Sequence, residues 1–294
     1  VILLLVLLIV CPLLSIFREA AFTEGRFNLS GAIATIAESE NAEMIASSLL
    51  LGILVVIVSS LIALPLAYIF SRTEFAKYRF FDIIFMIPFM TPPYIASMGW
   101  ILFMQKRGLM QQLFPSLAFI SDWFFSLGGL VLVMSFHVFP FMMTMMKNAM
   151  LSVPSSLDEA GAVLGARFLL RIRKLFMPLL TGNYAIGALL VFVKTISEYG
   201  TPSTLGRRIG FEVFTTDIHR YATVAPIEFG KSASLASVLI GICIFIWLLQ
   251  NYITNRRSYS LVGSRPGSVR IGKMKKLPYI LCWLFIILVV FFTM

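Results

Sequence analysis

The sequence predicts an all-α, polytopic membrane bundle: a six-helix unit, with a seventh helix at its C-terminal end. Three observations carry this. The first is composition: 59% of the residues are hydrophobic, 13% are charged, and the mean hydropathy is +0.91. A soluble domain carries about 25% charged residues, and no soluble fold of 294 residues hides this much apolar surface. The second is a set of uncharged runs over 1–17, 44–71, 83–105, 123–146, 175–193, 232–255 and 277–294. Each is near or above the ~17–20 residues that cross a bilayer as a helix; with Lys194 included, the fifth helix extends over 175–197. Backbone groups in lipid must bond internally, so helices are expected, and the ten-residue alternation of a membrane barrel is absent. The third is the distribution of charge. Loops 71–82, 147–174 and 256–276 hold 3, 5 and 7 Lys/Arg, against 2, 2 and 4 in loops 18–43, 106–122 and 198–231. Acids run the other way, 4 against 10. The positive-inside rule puts the first set, and with it the N-terminus, in the cytoplasm.

The net charge of +10 is thus explained by topology and headgroup attraction, and no nucleic-acid partner is expected. Cys11, Cys243 and Cys282 all lie in apolar runs without zinc or disulfide spacing, and read as small buried hydrophobes.

Taken in order, the first run lacks a basic start and an A-x-A-like site, so it reads as a membrane helix rather than a signal peptide. The chain begins without Met, and its last run reaches the terminus, which raises the expectation of a longer protein. Asn28-Leu29-Ser30-Gly31 in the first outer loop reads as a turn or helix cap. The third helix contains Pro88, Pro92 and Pro93. Consecutive prolines remove backbone donors and break or kink a helix, which lipid tolerates only where neighbours satisfy the freed carbonyls. Gating and simple packing both account for such a break. The fourth helix carries His137, three residues before Pro140, and the run Met142-Met143-Thr144-Met145-Met146 near its expected end. A lone mid-membrane histidine fits a hydrogen bond to a neighbouring helix, and the methionines fit flexible packing. No His/Cys/carboxylate cluster has metal-site spacing.

In the fifth helix Lys194 stands four residues before Glu198, a spacing that pairs them on one helix face. Intramembrane charges are paired or functional. A salt bridge near the outer interface is one reading; an outer gate formed by Lys194, Glu198 and Tyr199 is the other. Loop 198–231 is rich in turn formers, among them Gly200-Thr201-Pro202, Gly206 and Gly210, and is expected to be partly structured. The unit then ends at about residue 255. The linker 256–276 is basic, with Gly263-Ser264-Arg265-Pro266-Gly267-Ser268 and then Lys273, Lys275 and Lys276. The run 277–294 resembles the first run in composition and looks like the start of a second unit.

The most informative segment lies between the fourth and fifth helices, at 150–178. Pro154 and Ser155-Ser156 offer a helix start, with Asp158 and Glu159 in the first turn, where carboxylates suit the dipole. Ala160, Gly161 and Ala162 permit close approach by another surface. Gly165 permits a left-handed reversal. A second short helix, Arg167–Lys174, follows with four cations, and Pro178 fits the first turn of the fifth membrane helix.

Glu159-Ala160-Gly161-x-x-x-Gly165, with a proline thirteen residues on at Pro178, resembles the Glu-Ala-Ala loop of binding-protein-dependent ABC importer permeases. Gly161 replaces the second alanine of that pattern. The likeness extends over most of 40–255. Thr91-Pro92-Pro93-Tyr94-Ile95-Ala96 with Gly99-Trp100, and Glu198-Tyr199-Gly200-Thr201-Pro202, look like ferric-iron type permeases, which are often fused from two halves. Related subfamilies carry phosphonate, thiamine or polyamines.

The resemblance implies a transmembrane subunit of a bacterial inner-membrane importer, most like those for ferric iron. In such a system the loop inserts into a cleft of a cytoplasmic ATPase dimer, with Glu159 making a charged contact and Gly165 setting the angle between two short helices. A solute-binding protein delivers cargo outside, and a second permease half, fused or separate, completes the pathway. No cofactor is expected on this chain. No G-x-x-x-x-G-K-[ST] loop is present and no nucleophile–base grouping emerges, so ATP and magnesium belong to the partner and the chain is not expected to be an enzyme. An ion-gradient transporter is the rival reading. It fits the broken third helix, but calls for midplane carboxylates, which are nearly absent.

Overall fold

A computed structural model describes residues 4, 6–23, 26–27, 29–256 and 274–293. Most of the 256–276 linker, including Lys273, and the side chain of Asp158 lie outside the described residues. The described elements are helical apart from a two-residue antiparallel ladder, Phe22–Thr23 with Arg26–Phe27. In chain order the helices are α1 (Cys11–Ala21, continuing a π turn Val6–Val10), α2 (Leu29–Ala37), α3 (Ser39–Arg72), α4 (Phe80–Met90), α5 (Pro93–Met104), α6 (Leu109–Leu113), α7 (Ala118–Phe124), α8 (Leu127–Leu151), α9 (Ser155–Val163), α10 (Phe168–Arg171), α11 (Met177–Ile196), α12 (Phe214–Thr223), α13 (Phe229–Arg256) and α14 (Lys276–Thr293).

Among the described residues five helices are long and apolar enough to span a membrane: α3, α8, Ile172–Ile196, Phe229–Tyr252 and α14. The third predicted helix, 83–105, is not one rod. It is the pair α4 and α5, bent by 90° at Thr91-Pro92. Two adjacent prolines remove two consecutive backbone donors, and the helix cannot continue across both.

Helix α8 is the centre of the bundle. The apolar window of α8 is 78% buried within the protein, against 39% for α3 and 28% for Ile172–Ile196. It packs on α3 and α11 through Val55, Leu66, Phe70, Leu130, Phe139, Met142 and Val191. Met142, Met143 and Met146 of the methionine run lie in this core rather than at a helix end, because α8 continues to Leu151. A Cβ on Gly187 would stand 2.9 Å from Met142 Sδ, so the missing side chain lets α11 approach α8. Helix α14 lies against α4, α5 and α8: Tyr279 and Trp283 meet Phe75 at 5.1 and 5.3 Å, and Phe292 stacks on Trp100 and Phe136.

Contacts between loops sort by charge. At the basic end Arg72 reaches the Met150 and Val153 carbonyls, Lys147 pairs with Asp82 at 2.6 Å, and Met274 N–H donates to Glu74. At the other end Arg220 pairs with Asp217 at 2.8 Å and with Glu40 at 3.6 Å, and Phe214 N–H donates to Ser48 Oγ.

Candidate functional site

Two constructions stand along α8, one beyond its C-terminal end and one beside its middle. The first is the basic-end loop. Helix α9 starts after Pro154, without a side-chain cap, so Ser155 and Ser156 form its first turn instead of preceding it. Its C-terminus closes as a Schellman motif. Ala166 N–H donates to Gly161 C=O and Gly165 N–H to Ala162 C=O, each at 3.0 Å. The motif needs a left-handed residue at its pivot, and Gly165 has φ +77°. Glu159 and Ala160 are exposed. Gly161 packs against the return arm; a Cβ there would lie 3.3 Å from Arg171 Cδ, the flexible part of a side chain. The alanine of the family pattern therefore fits with a small shift.

The expected second short helix, Arg167–Lys174, is not separate. Helix α10 runs directly into a π turn, Ile172–Phe176, and on into α11. The ring of Pro178 crowds the carbonyl four residues back, at Lys174. The π turn widens the coil there and carries the chain past Pro178 in the first turn of α11. The loop is thus one free helix and a return arm continuous with the fifth span. Two residues not singled out from the sequence complete it: Val163 and Leu164, 87% and 85% exposed at the tip. Their signal was present, as two aliphatic residues placed directly before the reversing glycine.

The second construction is the proline elbow. Thr91 and Pro92 are extended, and Pro93 opens α5. The carbonyl of Pro88 would normally accept from residue 92, which is a proline without a donor. His137 of α8 lies beside this backbone group, with its Nδ1 buried and without a hydrogen-bond partner. Thr91 satisfies Ile87 C=O through both its N–H and its Oγ1, each at 3.1 Å. The start of α5 then meets the segment after α11. A Cβ on Gly200 would lie 3.0 Å from Tyr94 N, and Ser97 Oγ is 2.5 Å from Thr204 Oγ1.

His137, Lys194 and Glu198 line one small pocket with Met134, Val138, Thr195 and Thr201. Lys194 and Glu198 form no direct ion pair, contrary to their spacing. Helix α11 ends at Ile196, so the i,i+4 relation does not reach Glu198. Lys194 Nζ lies 5.8 Å from the Phe89 ring of α4, and Glu198 Oε1 accepts from Thr201 N–H at 2.9 Å. Burial pushes the Glu198 carboxyl above the ordinary range, while the Thr201 and Gly200 amides and Lys194 pull it back. Tyr199 is not part of this pocket; it stacks on His219 at 4.7 Å. On the other side of His137, a cavity of about 510 Å³ lies between the elbow, α8 and α14, lined by Thr91, Trp100, Phe136 and Phe292. Among the described residues no three His, Cys, Asp or Glu converge as a metal site.

Residues 60–259 match the family of binding-protein-dependent transport system inner membrane components. A protein of Haemophilus influenzae named as a ferric transport system permease, FbpB 1, is 26% identical over 280 residues, covering 95% of this chain and 44% of that protein. The chain therefore spans less than half the length of that relative. The sulfate transport system permease protein CysW of Escherichia coli is 24% identical over 259 residues, covering 83% of this chain and 84% of that protein. In fold, the chain is similar to a bacterial ABC transporter involved in import of the acidic polysaccharide alginate. The TM-score is 0.67 at 15% identity, covering 87% of this chain and 93% of that one. The matched region takes in the proline elbow, the Schellman-closed loop and all of α11, and the chain belongs to the family of binding-protein-dependent transport system inner membrane components.

Proposed function

We propose that this chain is the permease of an ATP-driven importer, and that the loop at 150–178 is where a separate ATPase acts on it. The observation that carries this is the loop itself: an exposed helix with Glu159 on it, closed by Gly165, with Val163 and Leu164 exposed at the tip. Two aliphatic side chains beside a carboxylate suit a cleft that buries the first and pairs the second. The basic end faces the cytoplasm in this reading, the N-terminus is inside, and an ATPase dimer with its ATP and magnesium docks there. A solute-binding protein meets the opposite face. A second permease half, in the same chain or separate, completes the path. Pro92, Pro93, His137, Lys194 and Glu198 border that path, and Tyr199 lies outside the pocket that His137, Lys194 and Glu198 line.

Ferric iron is the proposed cargo, supported by the relative from Haemophilus influenzae. Phosphonate, thiamine and polyamines are the other cargoes of the resembling subfamilies. An oxyanion such as sulfate is a second reading, favoured by the fuller two-way coverage of the Escherichia coli relative. The test is uptake into proteoliposomes holding the full protein, its ATPase and its binding protein. Labelled ferric iron is expected to accumulate only with ATP, and Glu159→Lys and Gly165→Pro are expected to abolish it. Unchanged ATPase binding and uptake in both variants would overturn the coupling reading; uptake of sulfate and not iron would overturn the cargo.

A further inference from the structure

We propose that Arg72 is the positioning residue that ties both arms of the loop to the membrane helices, so that movement of the loop becomes movement of α3 and α11. The proposal rests on the coupling reading above. Arg72 is the last residue of α3 and is 7% exposed. Its Nη2 donates to the carbonyls of Met150 and Val153. The first lies in the last turn of α8 and the second two residues past its end at Leu151, where the helix dipole favours a cation. They immediately precede Pro154 and α9, so this is the outgoing arm of the loop. The guanidinium carbon lies 5.2 Å from the centre of the Phe176 ring. Phe176 is buried at the end of the π turn that carries the return arm into α11.

One side chain thus touches the end of α3, the outgoing arm and the return arm. The neighbouring residue reinforces the same junction, with Ser71 Oγ donating to Met150 Sδ at 3.5 Å. A buried cation held only for stability needs partners, but it does not need them on both sides of an exposed loop. The chemistry also demands arginine. A planar guanidinium offers a fork to two carbonyls and a flat face to a ring, whereas an ammonium offers a point charge.

The test uses the full protein assembled with its ATPase and binding protein in proteoliposomes, with ATP consumed per ion imported as the readout. Arg72→Lys keeps the charge and loses the fork; Phe176→Leu removes the ring alone. Both are expected to assemble and hydrolyse ATP, while uptake falls about tenfold in Arg72→Lys, less in Phe176→Leu, and the ATP-per-ion ratio rises to match. A purely structural role would lower hydrolysis and uptake together and leave the ratio unchanged, and that result, like uptake at the parent's level, overturns the proposal. Gly165→Pro is the companion control. If it too transports normally, the coupling reading itself fails; if it alone is inactive, only the role of Arg72 fails.

Discussion

Gly165 offers the sharpest quantitative test of the loop, because its surroundings separate two causes that usually act together. A Cβ at this position meets nothing within 4 Å, so substitution creates no clash, while φ +77° makes any L side chain costly. The left-handed conformation costs a non-glycine residue about 1–2 kcal/mol. Gly165→Ala is expected to destabilise the closed loop by about that amount, or roughly 5–30-fold in its population. Asparagine tolerates this region through local hydrogen bonding, so Gly165→Asn is expected to lose less than Gly165→Ala. Gly165→Val costs more, since a β-branched residue is a true outlier at positive φ. Gly165→Pro is worst, because its φ is fixed near −65° and it deletes the donor to Ala162 C=O. The assay is titration of the proposed ATPase partner onto the purified protein, with amide exchange at 161–166 reporting closure of the motif. The order Gly, Asn, Ala, Val, Pro in both measurements is the expected result. If Asn binds no better than Ala, the backbone conformation is not what the ATPase recognises, and the reasoning is refuted.

Gly161→Ala is expected to leave uptake unchanged and to raise protection of α9, since it gains up to ~1 kcal/mol in helix propensity and only asks Arg171 to shift; proteolysis of the loop reads this. Gly200→Ala pushes on the Tyr94 backbone and is expected to lower thermal stability in detergent by about 1–3 kcal/mol. The control Gly230→Ala, with nothing within 4 Å, stays within about 0.5 kcal/mol. Because burial raises the Glu198 carboxyl, stability from this group is full at pH below the ordinary glutamate value and is lost as pH rises through the raised one. Glu198→Gln keeps an acceptor for Thr201 and removes that loss, so its melting temperature is expected to gain on the parent's as pH rises from acid to neutral.

The helices were legible because lipid leaves a chain few options: five of the seven uncharged runs appear as α3, α8, α11, α13 and α14 with ends shifted by a few residues. The run 83–105 is instead the bent pair α4–α5, and among the described residues the run 1–17 gives the π turn Val6–Val10 and part of α1, which is not among the five spans. The loop was legible for a similar reason. Gly165 and Pro178 each impose a backbone constraint that shows in the residue type. Failures came where a tertiary contact decides. The spacing of Lys194 and Glu198 presumes a helix that in fact stops at Ile196. Arg72 passed as one more basic residue of a cytoplasmic loop. Nothing local distinguishes it from Arg79; its partners are 78 and 81 residues away.

The length of α3 has a mechanical consequence. Its 34 residues make a rod of about 51 Å, against a hydrocarbon thickness of about 30 Å. If Arg72 is the fulcrum, a tilt of about 10° carries the far tip of the rod some 9 Å, roughly the width of a helix. That tip bears Glu40, braced by Arg220 of α12. A lever of this reach delivers a small displacement at the basic end, magnified, to the opposite end of the protein. Pro65, two turns from the fulcrum, deprives the Leu61 carbonyl of its helical donor and gives the rod one soft joint near its short arm.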